Sequence, residues 1–182
     1  HTRGRGPSTF GVSARRRACP GFISAALDVR DMHRVMGKRP LDETAFSGPD
    51  ACEMYANVVR ARRFDERART RQRQGWLSGY RSHGGREAAQ AGAAFALADA
   101  DAVFPTRRTD ALQLAVGVSP AALLSMYRGG REPVSVDGPS VFPRTESTGA
   151  GLPVAVGAGM AHDYAGDDGV ALACIDARTT GE

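Results

Sequence analysis

Residues 62–75 read RRFDERARTRQRQG, residues 84–92 read GGREAAQAG, and residues 103–118 read VFPTRRTDALQLAVGV. The order and spacing of these three pieces decide the fold. The first lies in a helix predicted over residues 50–74. Asp50 is placed to cap its start, and Gly75 to end it in the left-handed conformation. Met54, Tyr55, Val58, Val59 and Ala61 give it an apolar face, and Arg62–Glu66 and Asp65–Arg69 stand at i,i+4 spacing. The second piece opens a small-residue helix from Arg86 to about Ala98, whose alanines and Gly92 permit close packing. The third starts as a short strand at Val103–Phe104, turns through Arg107 and Arg108, and enters a helix over Asp110–Val116.

Between the first two pieces, residues 76–84 read as a loop with Trp76 and Tyr80. Ser119 caps a helix that runs to Tyr127, with Pro120 at its first position. Residues 129–147 read as a Gly/Pro-rich loop, and residues 152–164 as another small-residue helix. GVALACI, residues 169–175, is a near-continuous apolar run, as expected of an interior parallel strand. Asp176 follows its carboxyl end, where open α/β sheets place ligand groups. Helices alternating with apolar runs imply the α/β class.

The chain has 182 residues, 42% of them hydrophobic, which is enough for a core in one domain. Twenty-four basic and 20 acidic residues leave a net charge of +4. That mild balance does not call for a polyanion. The arginines of the first helix are interspersed with Asp65 and Glu66, so a solvated or subunit-facing helix is expected and no nucleic acid. Cys19, Cys52 and Cys174 are too far apart for a disulfide framework or a zinc site. His1, His33, His83 and His162 show no ligand spacing, and His83 is expected to be an exposed loop residue. No apolar run approaches the roughly 20 residues of a membrane span.

Residues 1–45 are expected to be a leader outside the core, and residues 46–182 the domain. The segment His1–Leu27 has no acidic residue but carries Arg3, Arg5, Arg15, Arg16 and Arg17. It reads as a disordered or non-native tail, with a transit peptide as the alternative. Met32 or Met36 are candidate starts.

Over roughly residues 50–182 the chain resembles the alpha subunit of the dehydrogenase (decarboxylating) component of 2-oxo acid dehydrogenase complexes. That family carries a similar RRF-[ED]-ERA helix, a G-[QE]-EA helix start, a [FP]-x-YR turn and a GV-P helix entry. The resemblance implies a thiamine diphosphate-binding fold, a parallel sheet flanked by helices, here truncated at the carboxyl end. It also implies thiamine diphosphate and Mg²⁺ as cofactors, decarboxylation of a 2-oxo acid, and acyl transfer to a lipoyl arm. The implied partners are a beta subunit, in a heterotetramer, and a lipoyl-bearing acyltransferase. The implied location is the cytoplasm, or the mitochondrial matrix in a eukaryote.

The resemblance carries over to individual positions. Asp176 matches the Asp of the family's Gly-Asp-Gly, which ligates Mg²⁺. Here Ile175 and Ala177 replace the flanking glycines that let backbone approach the phosphates. Arg108 matches the Arg of the family's Tyr-Arg pair that contacts the diphosphate, and Arg107 stands at the Tyr position. Thr148 stands where the family has an aliphatic wedge beneath the thiazolium. Each has a plainer reading: Asp176 as a strand-end cap, the arginines as a solvated pair, Thr148 as a helix N-cap. The catalytic Glu comes from the beta subunit, so no catalytic residue falls in this chain. The closing Asn of the motif and a later His belong beyond Glu182. The GREAAQAGAA wording, and a short stretch from Arg108 to Pro153, are closer to the branched-chain than to the pyruvate type. The alternative is a non-catalytic remnant or pseudoenzyme that at most pairs with a beta-like subunit.

Overall fold

The computed structural model describes residues 47–130, 138–145 and 148–175. The expected leader, residues 1–45, and the candidate residues Asp176 and Ala177 lie outside the described residues. Helix α1 spans Gly48–Arg73. Its cap is Ser47, not Asp50. Ser47 Oγ accepts from the Asp50 N–H at 3.3 Å, and Asp50 Oδ2 accepts from the Ser47 N–H at 3.0 Å. Asp50 is thus the third helical residue of a reciprocal capping box, which satisfies two otherwise orphaned donors. Gly75, at φ +77°, carries the left-handed exit as expected.

The buried face of α1 is Ala61, Phe64, Asp65 and Ala68. Of the expected face, Ala61 is buried, while Tyr55 and Val59 are exposed. Among the described residues, the buried hydrophobic positions of this helix all lie in its second half. Arg62 does not pair with Glu66 but crosses to Glu87 at 2.6 Å. Glu87 is the first residue of α2, Glu87–Phe95. Gly92 faces open space rather than a helix, and Ala91 is the buried small residue.

Three parallel strands follow: β1 (Ala102–Phe104), β2 (Ser140–Val141) and β3 (Ala171–Ala173), in the order β2-β1-β3. Ala102 pairs with Ser140 on one side and Ala171 on the other. The expected interior strand is parallel, as read, but shorter. Among the described residues it stands at an edge, and β1 is central. The expected loop over 129–147 contains β2, because a two-residue strand has no periodicity to read. At the amino edge of the sheet, buried Asp101 accepts from the N–H of Val170 at 2.8 Å and of Ala98 at 2.7 Å.

Alternation along β1 divides the core, since successive side chains point to opposite faces. Val103 faces a cluster with Phe64, Leu112, Leu114 and Leu123. These come from α1 and from two short helices, α3 (Asp110–Ala115) and α4 (Pro120–Met126). Ser119 caps α4 as expected, accepting from the Ala122 N–H at 3.1 Å. Ala102 and Phe104 face the other way, onto Ala155. Ala155 belongs to α5, Gly151–Ala165, which a short 3₁₀ turn over Thr148–Ala150 precedes. Helices therefore cover both faces of a parallel sheet.

Candidate functional site

Because the strands are parallel, all three deliver their chain ends to one edge. From β1 the chain enters the turn that carries Arg107 and Arg108. Thr109 closes that turn with its own side chain. Its Oγ1 accepts from the Thr106 N–H at 2.8 Å and donates to the Thr106 carbonyl at 2.9 Å. Gln90 of α2 braces the same turn, donating to the Arg108 carbonyl at 2.9 Å and accepting from the Leu112 N–H at 3.0 Å. From β3, the Cys174 N–H donates to the Phe104 carbonyl at 3.1 Å. Burial raises the Cys174 thiol to about 11, and a hydrogen bond with Thr109 opposes that rise. The chain then passes half-exposed Ile175 toward Asp176.

From β2 the chain runs through Phe142, Pro143, Arg144 and Thr145. With Phe104, Pro105, Gly151 and Val154, residues Phe142, Pro143 and Thr145 line a cleft of about 150 Å³. The Phe104 and Phe142 rings stack beside it, 4.4 Å between centroids. The cleft therefore opens at the carboxyl edge, between the sheet and the start of α5.

Of the sequence-derived candidates, Arg107, Arg108 and Thr148 are among the described residues and follow or precede elements at this edge. Arg107 is partly buried. Its Nη1 lies 3.4 Å from where a Cβ on Gly79 would stand, and Gly79 has φ +69°. A side chain there would meet both strain and the guanidinium. Arg108 is exposed, its backbone held by Gln90. Thr148 opens the 3₁₀ turn, and Ala150 holds the N-cap position of α5, so Thr148 is not that helix's cap. Among the described residues no three His, Cys, Asp or Glu side chains cluster as a metal site.

Two buried polar clusters escaped the sequence reading. In the first, Asp65 Oδ1 accepts from the Tyr80 hydroxyl at 2.6 Å and the His83 N–H at 3.2 Å. Asp65 Oδ2 accepts from Ser82 Oγ at 2.9 Å. Burial, then the Asp65 hydrogen bond, pushes the Tyr80 hydroxyl far above its ordinary range. His83, expected at the surface, is fully buried. Its Nε2 lies 3.2 Å from the Ala61 carbonyl, and its Nδ1, 4.0 Å from Asp65 Oδ1, has no hydrogen-bond partner among the described residues. In the second cluster, the Asp110 carboxylate accepts from the Tyr127 hydroxyl at 2.8 Å and from Arg144 at 3.1 Å. Desolvation raises Asp110 to about 6, with Arg144 and Tyr127 opposing that rise. The available signal was only an acidic residue opening the apolar helix DALQLA, which reads equally as an ordinary helix start.

No curated protein sequence matches the chain. The sequence pattern of the dehydrogenase E1 component family matches residues 55–180, more than half of the chain and all of the elements that build this edge. The three parallel strands, the arginine turn and the helix after the cleft thus belong to a member of the dehydrogenase E1 component family.

Proposed function

We propose that this chain is the alpha-side half of a thiamine diphosphate-dependent 2-oxo acid dehydrogenase site. The observation that carries the reading is the convergence at one sheet edge of the arginine turn, the Phe104–Phe142 cleft and the strand leading to Asp176. The residues present fit part of the cofactor. An apolar slot of about 150 Å³ admits a ring. Whole-cofactor sites are larger, roughly 300 Å³ or more, so a beta subunit supplies the opposite wall. Guanidinium groups suit diphosphate oxygens, and a single carboxylate plus phosphates suits Mg²⁺.

When bound, thiamine diphosphate supplies an electron sink that lets CO₂ leave the 2-oxo acid. In this reading Arg107 and Arg108 hold the diphosphate, and Asp176 holds Mg²⁺ with Ala177 beside it. Thr148 would help to hold the thiazolium. The Phe104–Phe142 cleft would exclude water from a ring bound there. A lipoyl-bearing acyltransferase takes the acyl group. The spacing of the arginine turn and α5 favours a branched-chain 2-oxo acid over pyruvate. A soluble compartment, the cytoplasm or mitochondrial matrix, suits such a complex; among the described residues no helix is long and apolar enough to cross a membrane.

Ile175 and Ala177 favour weak binding, since each adds a side chain where the family's backbone approaches phosphate. Losing two or three such contacts, each on the order of 1–3 kcal/mol, weakens binding by roughly 30- to 10⁶-fold. Titration calorimetry of the full chain with its beta subunit tests the proposal. Mg²⁺-dependent binding weaker than micromolar, abolished by Asp176→Ala, is expected. No Mg²⁺-dependent heat at millimolar thiamine diphosphate overturns it in favour of a non-catalytic remnant. Micromolar or tighter binding shows that the altered motif works at full strength.

A further inference from the structure

The segment 142–145 forms one wall of the cleft, yet among the described residues its last sheet hydrogen bond is from the Phe142 N–H to the Val103 carbonyl, at 2.9 Å. Two residues on, the chain turns a side chain away from the cleft and into the core. Arg144 Nη1 donates to Asp110 Oδ1 at 3.1 Å and to the Tyr127 hydroxyl at 2.7 Å. The Tyr127 hydroxyl in turn donates to the other Asp110 oxygen at 2.8 Å, closing a three-membered network. The Arg144 guanidinium also lies over the Tyr127 ring, 4.8 Å from its centroid, and within 3.5 Å of the Met126 sulfur. The side chains of Arg144 and Asp110 are 7% and 0% exposed.

This burial decides what the pair is for. A surface ion pair holds little, because water competes for both charges. A buried pair has nowhere else to go, since moving either charge away leaves the other desolvated and unpaired. The planar guanidinium is fixed by two donated bonds and a ring face, a geometry that Lys does not reproduce. The tie reaches across the fold, from the wall after β2 to the first residue of α3 and the end of α4.

We infer that Arg144 is a positioning residue whose buried tie to Asp110 and Tyr127 holds Phe142, Pro143 and Thr145 in place as the wall of the cleft. The ligand for which that wall is held rests on the proposed function. The tie itself does not.

Hydrogen exchange on the full chain reads the wall directly. Arg144→Met alone strands a buried carboxylate and endangers the fold, so the decisive variant is Asp110→Asn/Arg144→Met, which removes both charges together. The Phe142 amide is expected to exchange roughly tenfold faster or more, while Ala68 in α1 and Cys174 beside β1 stay within about twofold. Arg144→Lys is expected to fall between the double variant and the parent. Unchanged Phe142 exchange, or equal acceleration at all three amides, overturns the inference. If the parent protein, titrated in parallel, binds no thiamine diphosphate, the proposed function falls, and the exchange comparison still decides the role of Arg144.

Discussion

The Tyr80 hydroxyl donates to Asp65 Oδ1 at 2.6 Å, joining the loop after α1 to the middle of that helix with both residues buried. Ser82 and the His83 N–H bond the same carboxylate. One charge thereby organises a loop that has neither helix nor strand. Tyr80→Phe removes one of these bonds and leaves the others. Urea denaturation is expected to show a loss of about 1–3 kcal/mol. An unchanged midpoint contradicts the role given to Asp65.

Asp110 and Glu87 predict opposite pH dependences. Burial raises Asp110 from its ordinary 3.8 to about 6. A raised carboxyl contributes stability that is fully present below the lower value and lost as pH rises through the higher one. Against Asp110→Asn, the parent is expected to lose on the order of 3 kcal/mol between about pH 4 and pH 7. Glu87 is pulled below its ordinary 4.5, first by its hydrogen bond with Arg62. Its contribution is present above that value and lost as pH falls through the lowered one. Against Glu87→Gln, the parent should weaken only on the acid side. A difference that stays flat with pH in either comparison refutes the corresponding assignment.

Ser47 Oγ accepts from the Asp50 N–H, and the Ser47 N–H donates to the Asp50 carboxylate in return. Ser47→Ala is expected to cost about 0.5–2 kcal/mol, as other N-cap replacements do. Thermal unfolding followed by circular dichroism measures it. An effect from Asp50→Ala with none from Ser47→Ala would restore Asp50 as the cap.

In the proposed reading, the cleft of about 150 Å³ is one wall of a site and not a whole one. The chain without a beta subunit is therefore expected to give no turnover of 2-oxo acids. Ferricyanide reduction is the assay, with pyruvate and branched-chain 2-oxo acids as substrates. Turnover by the isolated chain removes the need for a second wall.

Every buried hydrophobic residue of the described core lies at or after Ala61. Deleting residues 1–45 is accordingly expected to leave the urea midpoint nearly unchanged. A large drop shows that these residues pack.

The local grammar of the chain was legible without a structure. Gly75 ends α1, Ser119 and Pro120 start α4, and an uninterrupted apolar run marks a parallel strand, because each depends on the φ/ψ and hydrogen-bonding needs of adjacent residues. The family resemblance likewise rested on short motifs in order. Where a local rule has two solutions, adjacent residues do not decide between them. Asp50 and Ser47 both suit a cap, and Arg62 is within reach of both Glu66 on its own helix and Glu87 on the next. Only the packing of α1 on α2 decides for Glu87.

Local rules along the chain thus set the succession of helices, two of the three described strands with their parallel direction, and the turn that carries Arg107 and Arg108. The tertiary structure alone decided which charges are buried and with whom. His83 is a core residue because the loop folds back over Phe64, with the two rings stacked at 6.4 Å. Asp110 meets Arg144 across 34 residues because β2 pairs beside β1 and turns the following chain inward. Whether a carboxylate is solvated or desolvated depends on the elements that close around it, and no spacing along the chain encodes that closure.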